Sequence, residues 1–221
     1  MGYSEAIESG EIEAYVQSIC ALVGDREPIE VMAETPDALR NATQGLAVEI
    51  LRQSEQEGKW SVLQVVRHLG DVEIAIGFRL RKIMAEPGCS LPAIDQDAWA
   101  TTFDYNAGTV RQALDDFEAV RKINLRLLRN TDASLFERSG IHAERGEESA
   151  ARTIALYAGH DLYHLAQIGR IKKAIRTDPR NSLSWLYAGR VSASDLVSTT
   201  FHRIPRSAVL PSATNRPLMA F

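Results

Sequence analysis

The chain has 221 residues, 45% of them apolar, and a formal net charge of −4. That length suits one substantial domain or two small ones, and the apolar share is ordinary for a soluble globular fold. The acidic balance argues against a nucleic-acid partner, and no apolar run is long enough to span a bilayer. The first residues, Met1-Gly2-Tyr3-Ser4-Glu5, lack the basic start and apolar stretch of a signal peptide. The two cysteines, Cys20 and Cys89, show no metal-type spacing, so no disulfide framework is expected and the cytoplasm is the expected compartment.

In chain order, a first helix is expected from Glu11 to Val23, with Ile12, Tyr15, Val16, Ile19 and Cys20 near one stripe. A shorter helical piece follows Thr35, where Pro36 suits a first-turn position. The second long helix runs from Ser61 to Ala85. Ser61 is its N-cap candidate, and Val62, Val65, Val66, Leu69, Val72, Ile76, Leu80 and Ile83 recur at helical spacing. Pro87-Gly88 stops it. The connection from Glu86 to Asn106 is long enough to be functional or partly structured, with a short turn of helix over Asp95-Gln96-Asp97-Ala98-Trp99.

The third long helix runs from Thr109 to Leu128, with Val110, Leu114, Phe117, Val120 and Leu127 facing inward. The fourth starts near Glu147-Glu148, whose charges suit a helix N-terminus, and reaches Arg176. No segment shows a strand alternation. Four amphipathic helices without a sheet imply an all-α four-helix bundle over residues 1–176. Residues 177–221 differ in composition. They hold five arginines, two aspartates and four of the eight prolines, but no lysine or glutamate. Their net charge is +3, leaving −7 for the body. They read as an irregular C-terminal extension.

Three histidines carry the chemistry. His160 and His164, within His160-Asp161-Leu162-Tyr163-His164, are spaced i, i+4. A helix puts both imidazoles on one face, one turn apart. His68 lies beside Val65 and Val72 on the second helix and can face them. Spacing alone leaves two readings open. Each ring is satisfied by a core hydrogen bond, or all three bind one divalent ion with coordination positions to spare. The pair differs from the zinc-protease pattern His-Glu-x-x-His, since Asp161 replaces the glutamate and no third ligand follows. Asp161 and Asp71, each three residues from a histidine, could orient ligand rings. Gln167, three residues after His164, could hydrogen-bond within the bundle. His142 and His202 read as surface residues.

Two blocks carry a family resemblance. One is Gly58-Lys59-Trp60-Ser61 leading into Val65-Val66-Arg67-His68-Leu69-Gly70-Asp71. The other is Tyr157-Ala158-Gly159-His160-Asp161-Leu162-Tyr163-His164-Leu165-Ala166-Gln167-Ile168. In these residues the chain resembles the DinB-like family of four-helix metal-binding proteins, over about residues 11–176. The resemblance implies that His68, His160 and His164 are metal ligands and that the ion is zinc, nickel, manganese or iron. It also implies kinship with enzymes that transfer low-molecular-weight thiols such as bacillithiol or mycothiol.

The leading expectation is therefore a metal-dependent thiol S-transferase acting on small electrophiles. Trp99 and Phe103 would wall its pocket, and Arg79 and Arg81 would be available to a thiol's carboxylates. The alternatives are a metal-dependent hydrolase, with Asp161 or Glu73 as base, and a non-enzymatic metal-binding stress protein or homodimeric scaffold.

Overall fold

The computed structural model describes residues 9–177. Seven α-helices follow in order: α1 Ser9–Cys20, α2 Pro28–Thr43, α3 Val48–Arg52, α4 Val62–Ala85, α5 Gln96–Thr102, α6 Val110–Arg129 and α7 Ala150–Thr177. Short 3₁₀ turns cover Ala21–Val23 and Ala133–Glu137. The bundle consists of α2, α4, α6 and α7, in which α4 and α2 each pack on both α6 and α7.

The long helices start where their caps put them. Ser61 Oγ accepts from the Gln64 amide while Gln64 Oε1 accepts from the Ser61 amide, and Thr109 and Gln112 repeat this reciprocal pairing on α6. Pro28 opens α2 at a first-turn position. Pro36 instead lies inside α2. Having no N–H, it leaves the Met32 carbonyl without its helical donor.

Contacts along the helices fix their directions. Met32 and Arg40 of α2 meet Arg121 and Asp115 of α6, so these two helices are antiparallel. Thr35 meets Asp161 and Ala42 meets Lys172, so α2 and α7 run parallel. Gly77 and Asn124 touch, and Arg67 donates to the Ala107 carbonyl just before α6, so α4 and α6 also run parallel. Parallel neighbours need long crossings, and this accounts for the 86–109 connection.

Three expectations change. The first bundle helix is α2, not the segment from Glu11 to Val23. That segment forms α1, which lies across α7 at Gly159, where an added Cβ would stand 2.1 Å from the Ile19 carbonyl oxygen. A small sheet is present. β1, Ser90–Leu91, pairs in parallel with β2, Ser139–His142, and β2 pairs antiparallel with β3, Gly146–Ser149. Strands of two and four residues are too short to show an alternation. The acidic pair Glu147-Glu148 thus belongs to β3 rather than to the start of α7. The 177–221 extension lies outside the described residues beyond Thr177.

Two apolar layers fill the bundle. One gathers Val72, Ile76, Leu80 and Ile83 of α4 with Ile154 and Tyr157 of α7. The other gathers Val62, Val65, Val66 and Leu69 with Phe117, Ile168 and Ile171. Between them lies a belt of buried polar side chains: His68, Glu73, Arg121, Asn124, Thr35, His160, Asp161 and His164.

Candidate metal centre

His68, His160 and His164 meet in this belt, and all three are fully buried. His160 Nε2 lies 3.2 Å from His68 Nε2 and 2.9 Å from His164 Nε2. One ligand atom from each lies within 4.8 Å of the others. α7 supplies two rings from successive turns, and α4, running antiparallel beside it, supplies the third.

The surroundings set the charge and orientation of these rings. His164 Nδ1 lies 2.7 Å from Gln167 Oε1. An amide oxygen only accepts, so Nδ1 carries the proton and Nε2 turns its lone pair to the cluster. Burial pushes His164 down to about 4. Burial, followed by the neighbouring rings, holds His160 well below the ordinary histidine value, and burial together with His164 does the same for His68. Three neutral imidazoles with converging Nε2 atoms are the donor set that suits a divalent transition ion.

Aromatic rings enclose the cluster. Trp60 packs on His68 at 4.8 Å between centroids, and Tyr163 and Tyr157 meet His164 and His160 edge-on. Tyr105, from the long connection, reaches Trp60 at 6.4 Å and donates its hydroxyl to Asp71. Tyr105 is therefore the residue of that connection that extends to the site. Trp99 pairs with Phe103 instead, and Phe103 is 60% exposed.

The acidic residues have other partners. Asp161 accepts from Arg121 Nη1 at 2.6 Å and Nη2 at 3.1 Å, and from Thr35 at 2.9 Å. Glu73 lies 2.8 Å from Arg121 Nη2 and accepts from Asn124. Arg121 Nη1 also donates to the Met32 carbonyl at 2.6 Å, taking the place of the amide that Pro36 lacks. Asp161 is thus held by Arg121 and Thr35 and Asp71 by Tyr105; of the polar neighbours named beforehand, Gln167 lies against a ligand ring. Arg121 itself is missed by the sequence reading. It lies on the stripe Leu114, Phe117, Arg121, Asn124 and Leu128, at the i, i+3, i+4 spacing of a buried face, while Val120 and Leu127 are only half-buried.

Two further readings are corrected. His142 is buried in β2, and its Nδ1 accepts from the Glu144 and Arg145 amides. Arg79 donates to the Tyr157 hydroxyl and the Pro92 carbonyl, and Arg81 donates to the Gly77 carbonyl and Asn124. Both arginines are tied into the scaffold. His202 lies outside the described residues.

The DinB superfamily model matches residues 32–168, which span the cluster and most of the bundle. The chain belongs to the DinB superfamily. A protein of Oceanobacillus iheyensis named as a candidate metal-dependent hydrolase is 33% identical over 147 residues. That match covers 66% of this chain and 85% of the relative. A protein of Geobacillus thermodenitrificans, named in the same way, is 30% identical over 150 residues, covering 67% and 84%. The fold is also that of YfiT from Bacillus subtilis, described as a probable metal-dependent hydrolase with an unusual four-helix bundle topology. The two structures align with a TM-score of 0.61 and 21% identity, over 78% of this chain and 92% of YfiT.

Proposed function

We propose that His68, His160 and His164 hold one divalent ion, and that the protein is a metal-dependent enzyme transferring a low-molecular-weight thiol to a small electrophile. The observation that carries the metal assignment is the convergence of three buried Nε2 atoms, with the tautomer of His164 set by Gln167. An ion bound there supplies a Lewis acid that lowers the pKa of a nucleophile beside it. Zinc, nickel, manganese and iron all accept imidazole donors.

This chain's residues would hold the ion and enclose its surroundings. The helices fix the three rings, Gln167 orients one of them, and Trp60 and Tyr105 form an apolar wall that limits water. The choice of thiol transfer rests on the carboxylates. Among the described residues, Asp161 and Glu73 are bound to Arg121 and Asp71 accepts from Tyr105. Addition of a thiolate to an electrophilic carbon requires no general acid for a leaving amine, whereas amide hydrolysis does.

The names of the relatives favour a second reading, hydrolysis at the same three histidines. One set of measurements separates the two. The metal content of purified protein should be one ion per chain and should be lost in His160→Ala. The loaded protein should consume a low-molecular-weight thiol with an electrophile and stop when treated with chelator. Loaded protein inert to thiols yet active on an ester or amide would establish the hydrolase reading. A normal metal content in His160→Ala would overturn both.

A further inference from the structure

His142 is buried on β2, outside the three-histidine cluster, and its ring proton has no acceptor. Nδ1 accepts from the Glu144 and Arg145 amides at 3.2 and 3.3 Å, so Nε2 carries the proton of the neutral ring. Nε2 is itself buried and has no hydrogen-bond partner among the described residues. A buried donor left without an acceptor costs the fold stability. Burial, followed by the Arg145 and Arg79 cations, pushes the ring down to about 4, so at neutral pH it stays a neutral donor through Nε2.

The β2–β3 hairpin builds the surroundings of this donor. β2 turns Gly140 and His142 inward and leaves Ile141 in solvent, and β3 turns Glu148 inward opposite Gly140. Arg145, in the turn between the strands, places Nε and Nη2 on Glu148 at 2.6 and 3.2 Å, and the pair is 5% and 1% exposed. Glu148 also accepts from Thr153 of α7 at 2.9 Å. Arg145 Nη1 has no acceptor among the described residues. Arg79 brings a second guanidinium from α4. It donates to the Pro92 carbonyl, and Pro92 follows Leu91, the β1 partner of His142. Ala143 and Glu144 of the turn are exposed, so solvent lies one layer away. From Thr153 the same face of α7 continues through Tyr157, which accepts from Arg79, to His160. The Tyr157 and His160 rings are 6.0 Å apart, and Thr153 lies seven residues, or about 10 Å, before His160.

We propose that His142 Nε2 and Arg145 Nη1 bind the carboxylate of a small reactant beside the metal centre. The donor set selects an anion: both atoms bear N–H groups, and neither has a lone pair to give a cation. A carboxylate offers one oxygen to the neutral ring and one to the guanidinium, and the second bond is charge-assisted. Glu148 holds the guanidinium plane and Thr153 holds Glu148, so Arg145 loses little freedom when the anion binds. The assignment to a reactant rests on the metal-enzyme reading above, whereas the anion site does not. A carboxylate held here leaves the rest of a small acid within about two helical turns of His160.

The experiment follows the amide resonances of full-length, chelator-treated protein during titration with sodium acetate, against sodium chloride at equal ionic strength. The Glu144 and Arg145 amides, which bond to the ring, should shift saturably with acetate but not with chloride or acetamide. The His142 ring N–H should exchange more slowly with acetate bound. In His142→Asn the side-chain oxygen still serves the two amides while the Nε2 donor is lost, so acetate affinity should fall about tenfold. If that variant fails to fold, ring N–H exchange in the native chain decides. Metal-loaded protein separates the reactants. KM should be about tenfold lower for chloroacetate than for chloroacetamide where the electrophile carries the carboxylate. The same should hold for mercaptoacetate against mercaptoacetamide where the thiol carries it, and His142→Asn should erase the difference. No saturable acetate shift, no slowing of the ring proton, or native affinity in His142→Asn would overturn the site whatever the metal does. Acetate binding with neither KM difference would overturn the assignment to a reactant. Loaded protein inert to all four compounds would count against thiol transfer, and the acetate titration would still decide the site.

Discussion

Arg121→Met is the substitution that best tests the polar belt. The guanidinium lies between two carboxylates and a carbonyl, with N–O distances of 2.6, 3.1, 2.8 and 2.6 Å to Asp161 Oδ2, Asp161 Oδ1, Glu73 Oε2 and the Met32 oxygen. All three side chains are 2% exposed. Methionine fills much of the volume but leaves two buried carboxylates without their cation. Breaking a buried pair in this way costs about 3–5 kcal/mol. For a domain of this size that lowers Tm by about 10 °C. Burial already pushes the Glu73 carboxyl up despite Arg121, and removing the cation raises it further. A carboxyl raised in the folded state destabilises most at high pH, where it must ionise in place, and the penalty fades as pH falls through its folded pKa. Chemical denaturation of the variant and the native chain between pH 5 and 8 should therefore show a gap that narrows on acidification. Replacing the whole triad, with Glu73→Gln and Asp161→Asn added, should recover most of the loss. A cost below about 1 kcal/mol at neutral pH would show that the triad is not a coupled buried unit.

Further outcomes follow from the same geometry. His164, held at about 4 against its ordinary 6.5, binds its proton later in the folded chain than in the unfolded one. Its contribution of about 3 kcal/mol is complete above 6.5 and lost as pH falls toward 4; denaturation of chelator-treated protein should show an acid-side loss of stability, and His164→Gln should reduce it while His68 and His160, also held low by burial, keep the rest. Gly159→Ala should detach α1, since its Cβ meets the Ile19 backbone, at a cost of about 1–3 kcal/mol. Hydrogen exchange should accelerate in α1 while α4 and α6 stay protected. Truncation after Thr177, beyond the end of the family match, should leave a chain that melts cooperatively and binds one metal ion; non-cooperative melting would place part of the 177–221 segment in the core.

The candidate site was legible where its chemistry lies within one element. His160 and His164 share a face because of their spacing, and Gln167 follows on the same helix, so one segment holds two donors and the group that orients one of them. His68 was legible because its own helix has a strong apolar stripe and a reciprocal cap that fixes its start. The start of α2 was not, because Pro28 and Pro36 both suit a first turn and only Pro28 occupies one. The sheet was not, because its segments are shorter than a period count needs.

What stayed hidden is the part of the site whose logic crosses helices. Pro36 on α2 frees a carbonyl, Arg121 on α6 takes it, and the same guanidinium binds Asp161 on α7 and Glu73 on α4. Each residue read alone has a common explanation: a proline near a helix start, an arginine on a solvated face, and acids beside histidines. Only their mutual burial shows that one cation joins all four bundle helices at the level of the histidines. It also removes both acids from the list of available bases. The sequence therefore pointed to the histidine cluster, while the contacts of Arg121 show how the two acids beside it are held. Asp161 illustrates the difference. Beside His160 in the chain, it looks like part of the site, yet its side chain is committed to Arg121 and Thr35, so its contribution to the histidines is to fix the position of α7.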